Sequence, residues 1–312
     1  MDRKANLFLV GAAKAGTTSL FSYFNQHPQI FFSPLKEPNF FAKDIDSKLF
    51  SKAYKKRNDF IKPNYFEHRP LPQHHISFIK DIEQYQLLFK DAGNESYLGD
   101  ASTSYLYSEV AAKEIKQYNE HARIIVILRN PIERAYSHYK MAMQGGYTSL
   151  PFIDAIKKDQ ASTQKGFGIS ELFIELGLYE QQLERYYNEF PFSQIKVMLY
   201  DDLNANTNAV LNDVFDWLNL EKAPVNVDEQ KNISRQPKSK KWNKILADTG
   251  IKKAASTVLP EHLKRKLKGL YYIANKNEYS LKEKAYLLDI YKENIKATEK
   301  QINKDLSNWY SA

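Results

Sequence analysis

The chain has 312 residues, of which 43% are hydrophobic and 26% charged, a composition typical of globular proteins and unlike that of disordered or fibrous chains. It has no cysteine, no apolar run near the roughly 20 residues of a membrane-spanning helix and no signal-peptide pattern, so a reducing, cytoplasmic location is expected. Lys and Arg outnumber Asp and Glu by 45 to 37, which indicates either a solvated basic surface or an anionic substrate or cofactor.

The first organised stretch is residues 7–20, LFLVGAAKAGTTSL. Its apolar start predicts a buried strand, its glycines a tight loop, and its hydroxyl residues the first turn of a helix. Free backbone N–H groups and the positive end of the helix dipole converge at such a turn, so it predicts an anion site. An NTPase P-loop places its lysine after the last glycine. Here Lys14 precedes Gly16, so the loop is related to the Walker type but distinct from it.

The next segments are a helix that ends near His27-Pro28 and a short strand at residues 30–32. Two prolines then flank Lys36 and Glu37 in the sequence SPLKEPNFF. An adjacent Lys-Glu pair is most often surface decoration, and a catalytic role is the alternative.

Residues 43–80 are aromatic and basic without a clear period, and they predict loops and short helices. His74 and His75 lie among them. Adjacent side chains rarely bind one metal together, so we expect no metal site there.

A second strand is predicted at residues 97–100, directly before Ala101 and Ser102. Asp100 and Ser102 at this strand end suit either a cap for the following helix or a contact with a ligand.

The most regular segment is residues 122–143, ARIIVILRNPIERAYSHYKMAM. Residues 124–128 form a β-branched run typical of a central parallel strand, and Arg129 follows it at the edge where open α/β sheets bind ligands. Pro131 opens a helix that carries Arg134, Ser137 and His138 within one turn. Arg129 and Ser137 suit a dianionic phosphate, because guanidinium gives a bidentate fork and serine adds a hydrogen bond.

Farther along, helical periodicity covers residues 171–190, residues 195–200 predict a strand, and a strand-helix segment follows it. The tail from Pro260 is lysine-rich and periodic, which predicts packing helices without chemistry.

Three of these segments resemble motifs of the sulfotransferases that use 3′-phosphoadenosine 5′-phosphosulfate (PAPS). KAGTTSL is similar to the 5′-phosphosulfate loop PKxGTTxL, with Ala13 where proline is common. RNPIERAYSHY matches the 3′-phosphate motif RxPxxRxxSxY at every fixed position. KEPNFF looks like the segment that carries the catalytic glutamate in heparan-type and bacterial carbohydrate sulfotransferases. The chain is therefore identified as a member of this family, with the resemblance covering residues 5–245.

The resemblance implies an α/β fold in which helices flank a P-loop-like central parallel sheet, followed by a helical C-terminal extension. It implies one domain over residues 1–312, with packing helices in residues 246–312. The implied reaction is sulfonate transfer from PAPS to a hydroxyl or amine, with PAP (3′,5′-ADP) as product and no metal. Glutamate as the base points to a carbohydrate acceptor.

The resemblance also implies roles for individual residues. Glu37 is the expected general base, with Asp100 as its rival, and Lys14 is expected to stabilise the departing oxygen. The implied nucleotide contacts are Lys14, Ala15, Gly16, Thr17, Thr18, Ser19, Arg129, Ser137, Arg235 and Lys238. The implied acceptor contacts are Lys36, Glu37, Asp100 and Ser102.

Other functions stay open at this point. The acceptor is alternatively a small alcohol, a lipid or a natural product. A kinase is disfavoured by the order of lysine and glycine, and a nucleic-acid-binding protein by the absence of zinc-finger spacing or an RNP1-like segment. The sequence does not determine the oligomeric state.

Overall fold

A computed structural model describes residues 4–227, 235–237, 239–249, 272–274 and 279–310. Its strands are β1 (Leu7–Gly11), β2 (Ile30–Phe32), β3 (Leu35–Glu37), β4 (His74–Ile76), β5 (Tyr97–Asp100), β6 (Arg123–Leu128), β7 (Ile195–Leu199), β8 (Arg235–Pro237) and β9 (Tyr272–Ala274). Its α-helices are α1 (Thr17–Phe24), α2 (Lys52–Arg57), α3 (Ile82–Leu87), α4 (Ser104–Tyr107), α5 (Ala111–Tyr118), α6 (Pro131–Gly145), α7 (Phe152–Gln160), α8 (Tyr179–Glu189), α9 (Tyr200–Ala205), α10 (Thr207–Trp217), α11 (Lys240–Thr249), α12 (Leu281–Ile302) and α13 (Ser307–Tyr310).

Five parallel strands form the central sheet in the order β2-β5-β1-β6-β7. Every residue of β1 is buried, and so are the five residues 124–128 of β6. Apolar runs of this kind form central strands because helices cover both of their faces. The predicted α/β fold with a central parallel sheet flanked by helices is therefore confirmed.

The strand order places the ligand edge of the sheet. After β1 the chain moves to β2 and β5 on one side, and it then crosses to β6 on the other side of β1. The carboxyl ends of β1 and β6 consequently lie side by side at a topological switch point, where open α/β sheets bind ligands. The loop before α1 and Arg129 after β6 both leave the sheet there.

Several local predictions are confirmed, and others are wrong. Strands β2 and β5 have the predicted bounds, and α6 begins at Pro131 as predicted. Helix α6 ends at Gly145, with Gly146 as a left-handed cap (φ 76°). The helix predicted over residues 171–190 is shorter, since Leu172 has φ 52° and α8 begins only at Tyr179. Strand β4 lies in the stretch predicted as loops and short helices, because pairing with β3 outweighs its weak pattern.

The described part of the tail contains two of the predicted packing helices, α12 and α13, but residues 272–274 form strand β9 instead. A capping box between Ser280 and Glu283 starts α12. Trp309 on α13 is 1% exposed, its indole N–H donates to Asp201 at 3.1 Å, and its carbonyl accepts from the Asn130 amide at 3.4 Å. The tail therefore packs beneath the turn that leads from Arg129 into α6.

Among the residues described, no helix is both long enough and apolar enough to cross a bilayer.

Replacing Trp309 by alanine removes a fully buried indole, and we expect the free energy of unfolding to fall by about 3–5 kcal/mol. Urea denaturation followed by circular dichroism measures this loss. Trp242→Ala is the matched control, because that indole is 64% exposed and its removal is expected to change stability by less than about 0.5 kcal/mol. Equal losses in the two variants would contradict a structural role for the tail.

Candidate functional site

The loop between β1 and α1 presents unpaired backbone donors. Lys14 and Gly16 have left-handed backbones, with φ of 69° and 96°, and no side chain caps α1. In the part of the chain that the structure describes, the backbone N–H groups of Gly16, Thr17, Thr18 and Ser19 have no hydrogen-bond partner. Four free donors at the positive end of a helix dipole form a ready cradle for an anion.

Gly16 is required in this cradle for two reasons. Its positive φ is strained for a residue with a side chain. An added Cβ would also lie 3.0 Å from the ring of Tyr200, which covers the loop from the end of β7. The backbone of Gly16 therefore packs against Tyr200, while its N–H group stays free for an anion.

Lys14 lies inside this loop in a strongly positive environment. The pKa of its ammonium group is lowered from 10.5 to about 8, mainly by burial and also by the charges of Arg129, Arg134 and Lys36, while Glu37 opposes them. Its Nζ lies 3.6 Å from Sδ of Met141. An anion bound beside Lys14 would restore the protonated form, because a nearby negative charge raises the pKa of an ammonium group.

Arg129 is held at the end of β6 by three contacts. Its guanidinium lies 4.5 Å from the centroid of the Tyr200 ring, donates to Glu133 Oε2 at 2.9 and 3.3 Å, and donates to the Lys14 carbonyl at 3.4 Å. The last bond ties the second motif to the glycine loop. The two motifs are 115 residues apart in sequence, and the structure brings them together.

Helix α6 adds further donors to this edge. Ser137 is half-buried, and its hydroxyl has no hydrogen-bond partner among the described residues. Arg134 is fully buried and donates from Nη2 to the Phe173 carbonyl, whereas its Nε and Nη1 have no partner within the described ranges. A buried guanidinium with unsatisfied donors fits a site that takes an anion.

His138 lies one residue beyond Ser137. Its Nε2 lies 3.7 Å from Glu171, and burial together with Arg134 and Lys14 holds its pKa well below 6.5. It is therefore neutral at physiological pH and adds no positive charge to the site.

Lys36 and Glu37 form a buried ion pair. Adjacent Lys-Glu pairs most often lie on the surface, and this pair does not. Their side chains are 6% and 9% exposed, and Lys36 Nζ donates to Glu37 Oε1 at 2.7 Å. Thr103 donates to the other carboxylate oxygen at 3.2 Å. Glu37 also raises the pKa of Lys14, so the two charges lie within electrostatic range of each other.

Asn39 fixes the segment that carries Glu37. Its backbone is left-handed (φ 52°), and its side-chain amide donates to the carbonyls of Glu37 and Ser77 at 2.8 and 2.7 Å. Its amide oxygen accepts from Ser104 at 2.5 Å, and its N–H donates to Ser102 at 3.1 Å. β3, the residue after β4 and the start of α4 are thus tied together behind the carboxylate.

Asp100 and Ser102 occupy the rear of this network, and both are fully buried. Asp100 accepts from Tyr105, Ser102 and Tyr85 at 2.7, 2.8 and 2.9 Å. Burial raises its pKa from 3.8 to about 7, against the effect of the three hydroxyl groups. Neither residue caps α4, which has no side-chain cap. Both residues therefore support the structure around them. Because Asp100 is fully buried, an acceptor cannot contact it.

Other predicted residues need separate mention. Ala15 is buried, Thr17 is buried, Ser19 is half-buried and Thr18 is exposed. Arg235 lies in β8, where only the backbone is described, and Lys238 lies outside the described residues. Sequence reasoning missed Thr103 and Tyr200. Tyr200 was the easier of the two to find from the sequence, because it is the last residue of the strand predicted over residues 195–200, and the carboxyl end of a strand lies at the ligand edge.

Comparison with known proteins identifies the chain. The profile of the Sulfotransferase family matches residues 6–224. The protein belongs to the Sulfotransferase family. It is accordingly a transferase, and the implied sulfotransferase family is confirmed.

Curated relatives are similar at low identity. The bifunctional heparan sulfate N-deacetylase/N-sulfotransferase 1 of Caenorhabditis briggsae is 22% identical over 86% of this chain and 29% of its own length. Human carbohydrate sulfotransferase 15 is 21% identical over 75% of this chain and 46% of its own length. The chain therefore spans less than half of these relatives.

A sulfotransferase of Alicyclobacillus acidocaldarius has a similar solved structure. It superposes with a TM-score of 0.71 over 99% of this chain and 100% of that chain, at 23% identity. At this identity the likeness establishes the fold.

The pKa of Lys14 leads to a pH-dependent affinity for anions. Above about pH 8 the free protein loses the Lys14 charge, so the dissociation constant of 3′,5′-ADP is expected to rise about tenfold between pH 7 and pH 9.5. Titration calorimetry across this range measures it.

Lys14→Met is the control for this titration, since the variant has no ammonium group to lose. We expect weaker binding and a nearly flat profile from it. An unchanged profile in Lys14→Met would assign the titration to another group.

Proposed function

We propose that this sulfotransferase transfers a sulfonate group from PAPS to a hydroxyl or amine of a carbohydrate acceptor. The observation that carries the proposal is that four free N–H groups, Lys14 and Arg129 lie together at one edge of the central sheet, with the Glu37 carboxylate within electrostatic range of Lys14. Anion recognition and a base next to each other are what sulfonate transfer from an anionic donor needs.

The residues present fit the donor. PAPS carries phosphates at the 3′ and 5′ positions, and it supplies the sulfonate group that is transferred. The N–H groups of Gly16, Thr17 and Thr18 suit the 5′ end, with Ala15 and Ser19 beside them. Arg129 and Ser137 suit the 3′-phosphate, because the guanidinium fork can exchange its bonds to Glu133 for bonds to the phosphate and the Ser137 hydroxyl has no partner among the described residues. Arg235 and Lys238 remain candidates for further contacts.

Glu37 and Lys14 divide the chemistry. A new bond forms from the acceptor oxygen or nitrogen to sulfur, the bond between sulfur and the 5′-phosphate oxygen breaks, and the acceptor proton goes to Glu37. Lys36 and Thr103 hold the carboxylate in place for this step. The Lys14 ammonium stabilises the charge that develops on the departing oxygen.

The carbohydrate acceptor is supported by the names of the relatives, which include a heparan sulfate N-sulfotransferase and a carbohydrate sulfotransferase. A small alcohol, lipid or natural product is the second candidate. A screen with labelled PAPS against these classes tests the choice.

Arg129→Ala is expected to weaken binding of 3′,5′-ADP far more than binding of AMP, because only the former has a 3′-phosphate. The loss of a charge-assisted fork amounts to about 2 kcal/mol or more. Calorimetry with both nucleotides measures it, and Ser137→Ala is expected to give a smaller loss of the same kind. If Arg129→Ala weakens both nucleotides equally, Arg129 does not recognise the 3′-phosphate.

Glu37→Gln is expected to lower turnover roughly 100-fold or more at saturating PAPS, since it removes the base and keeps the shape. Asp100→Asn is the matched comparison, and it is expected to lower stability with a smaller effect on turnover of the folded fraction. Binding of 3′,5′-ADP and thermal unfolding are measured for both variants. Near-normal turnover in Glu37→Gln together with its loss in folded Asp100→Asn would make Asp100 the base.

A further inference from the structure

A cleft of about 460 Å³ lies apart from the nucleotide cradle. Its walls come from residues 44–49, the end of α4, residues 165–169 and the stretch 175–185. The rings of Tyr107 and Phe167 line it, with centroids 6.3 Å apart. Its size and its mixed aromatic and polar lining suit an organic ligand.

Acidic side chains outnumber basic ones in the lining of the cleft. Four carboxylates and two cations line it, a formal excess of two negative charges. They are Asp44, Asp46, Glu109, Glu175, Lys165 and Arg185.

Both cations are engaged by the protein itself. Lys165 forms an ion pair with Glu175, and Arg185 donates to the carbonyls of Leu106 and Tyr107 at 3.2 and 3.1 Å. Glu109, by contrast, is exposed and has no ion pair among the described residues. Asp44 and Asp46 also accept hydrogen bonds from the protein, from Ser108, the Glu109 N–H and the Lys48 N–H. The net formal charge of the lining is nevertheless negative, and Glu109 is its exposed carboxylate.

Hydrogen-bonding capacity is also left over in the walls. Glu175 Oε2 and Arg185 Nε are buried and have no partner within the described residues. Because both atoms lie beneath the surface, a ligand bonds to them only after the side chains of the wall shift.

Helix α4 links the cleft to the proposed base. Thr103, directly before α4, donates to Glu37, and Tyr107 at the end of α4 lines the cleft. Four helical residues span about 6 Å. The ring centroid of Phe167 lies 6.3 Å from that of Tyr54 and 6.2 Å from that of Phe78. The N–H of Ser77, beside Phe78, donates to the Glu37 carbonyl at 2.9 Å. These contacts connect the wall of the cleft with the segment that holds Glu37.

We propose that this cleft binds the acceptor, and that the acceptor is a glycan with free, positively charged amino groups and without uronate or sulfate groups. The proposal rests on the proposed function and names its substrate class. The cleft attracts amines and repels polyanionic glycans, because like charges at close range are unfavourable. The group that receives the sulfonate is a hydroxyl or an unprotonated amine, while the remaining amines keep their charge.

The test compares three hexasaccharides at saturating PAPS: β-1,4-linked glucosamine, its N-acetylated form, and an alternating N-acetylglucosamine–glucuronate chain. The glucosamine chain is expected to have the lowest KM and the glucuronate chain the highest. Raising the salt concentration is expected to reduce the difference, because salt screens exposed charges. A lower KM for the glucuronate chain, or no sulfation of the glucosamine chain, overturns the proposal.

Glu109→Lys tests the cleft directly. It is expected to raise the KM for the glucosamine chain about fivefold and to change the KM for the N-acetylated chain less than twofold. Asp289→Lys is the matched control, since Asp289 is an exposed acid on α12 that does not line the cleft. An equal effect of both variants, or none from Glu109→Lys, overturns the assignment of the cleft.

Binding of 3′,5′-ADP is measured for every variant by calorimetry without metal. If the nucleotide binds but the KM values of the three hexasaccharides do not follow the expected order, the cleft proposal is overturned and the proposed function stands. Loss of nucleotide binding in the wild-type protein overturns both.

Discussion

Positive charge held close together inside the fold is the constraint on which the site depends. Arg129 and Arg134 lie near enough to Lys14 to lower its pKa, and burial removes the water that would screen them. Two nearby acids already form ion pairs: Glu133 pairs with Arg129, and Glu37 pairs with Lys36. A bound anion relieves this repulsion, so ligand binding and the stability of the site are coupled.

Much of the fold was predictable, because β1 and β6 are short apolar runs followed by residues with a definite local role. Pro131 starts α6, and Gly146 ends it. The errors arose where tertiary contacts decide. Pairing with β3 makes a strand of residues 74–76, and the left-handed backbone of Leu172 delays α8. Thr103 reaches Glu37 from 66 residues away, and local pattern carries no information about such a contact.

Asp100 and Glu37 illustrate why residue type alone cannot assign a base. Both are acids near strand ends in the sequence, but three hydroxyl groups surround Asp100 in the interior. Glu37 is held by one ammonium group and one hydroxyl, within electrostatic range of Lys14. Asn39 and the hydroxyls of Ser102 and Ser104 join the two environments. Asp100 thus belongs to the rigid support of Glu37, as precise placement of a reacting group requires.

The contact between Arg129 and Glu133 makes nucleotide binding an exchange of partners. Glu133 engages both Nε and Nη2 of the guanidinium from one turn of α6 away. Arg129 is therefore already oriented before a ligand arrives, and little side-chain freedom remains to be lost. The incoming group must nevertheless compete with a resident carboxylate of single charge. We expect a doubly charged phosphate to displace Glu133 more readily than a monoanion such as chloride or acetate does, so that the site favours dianions.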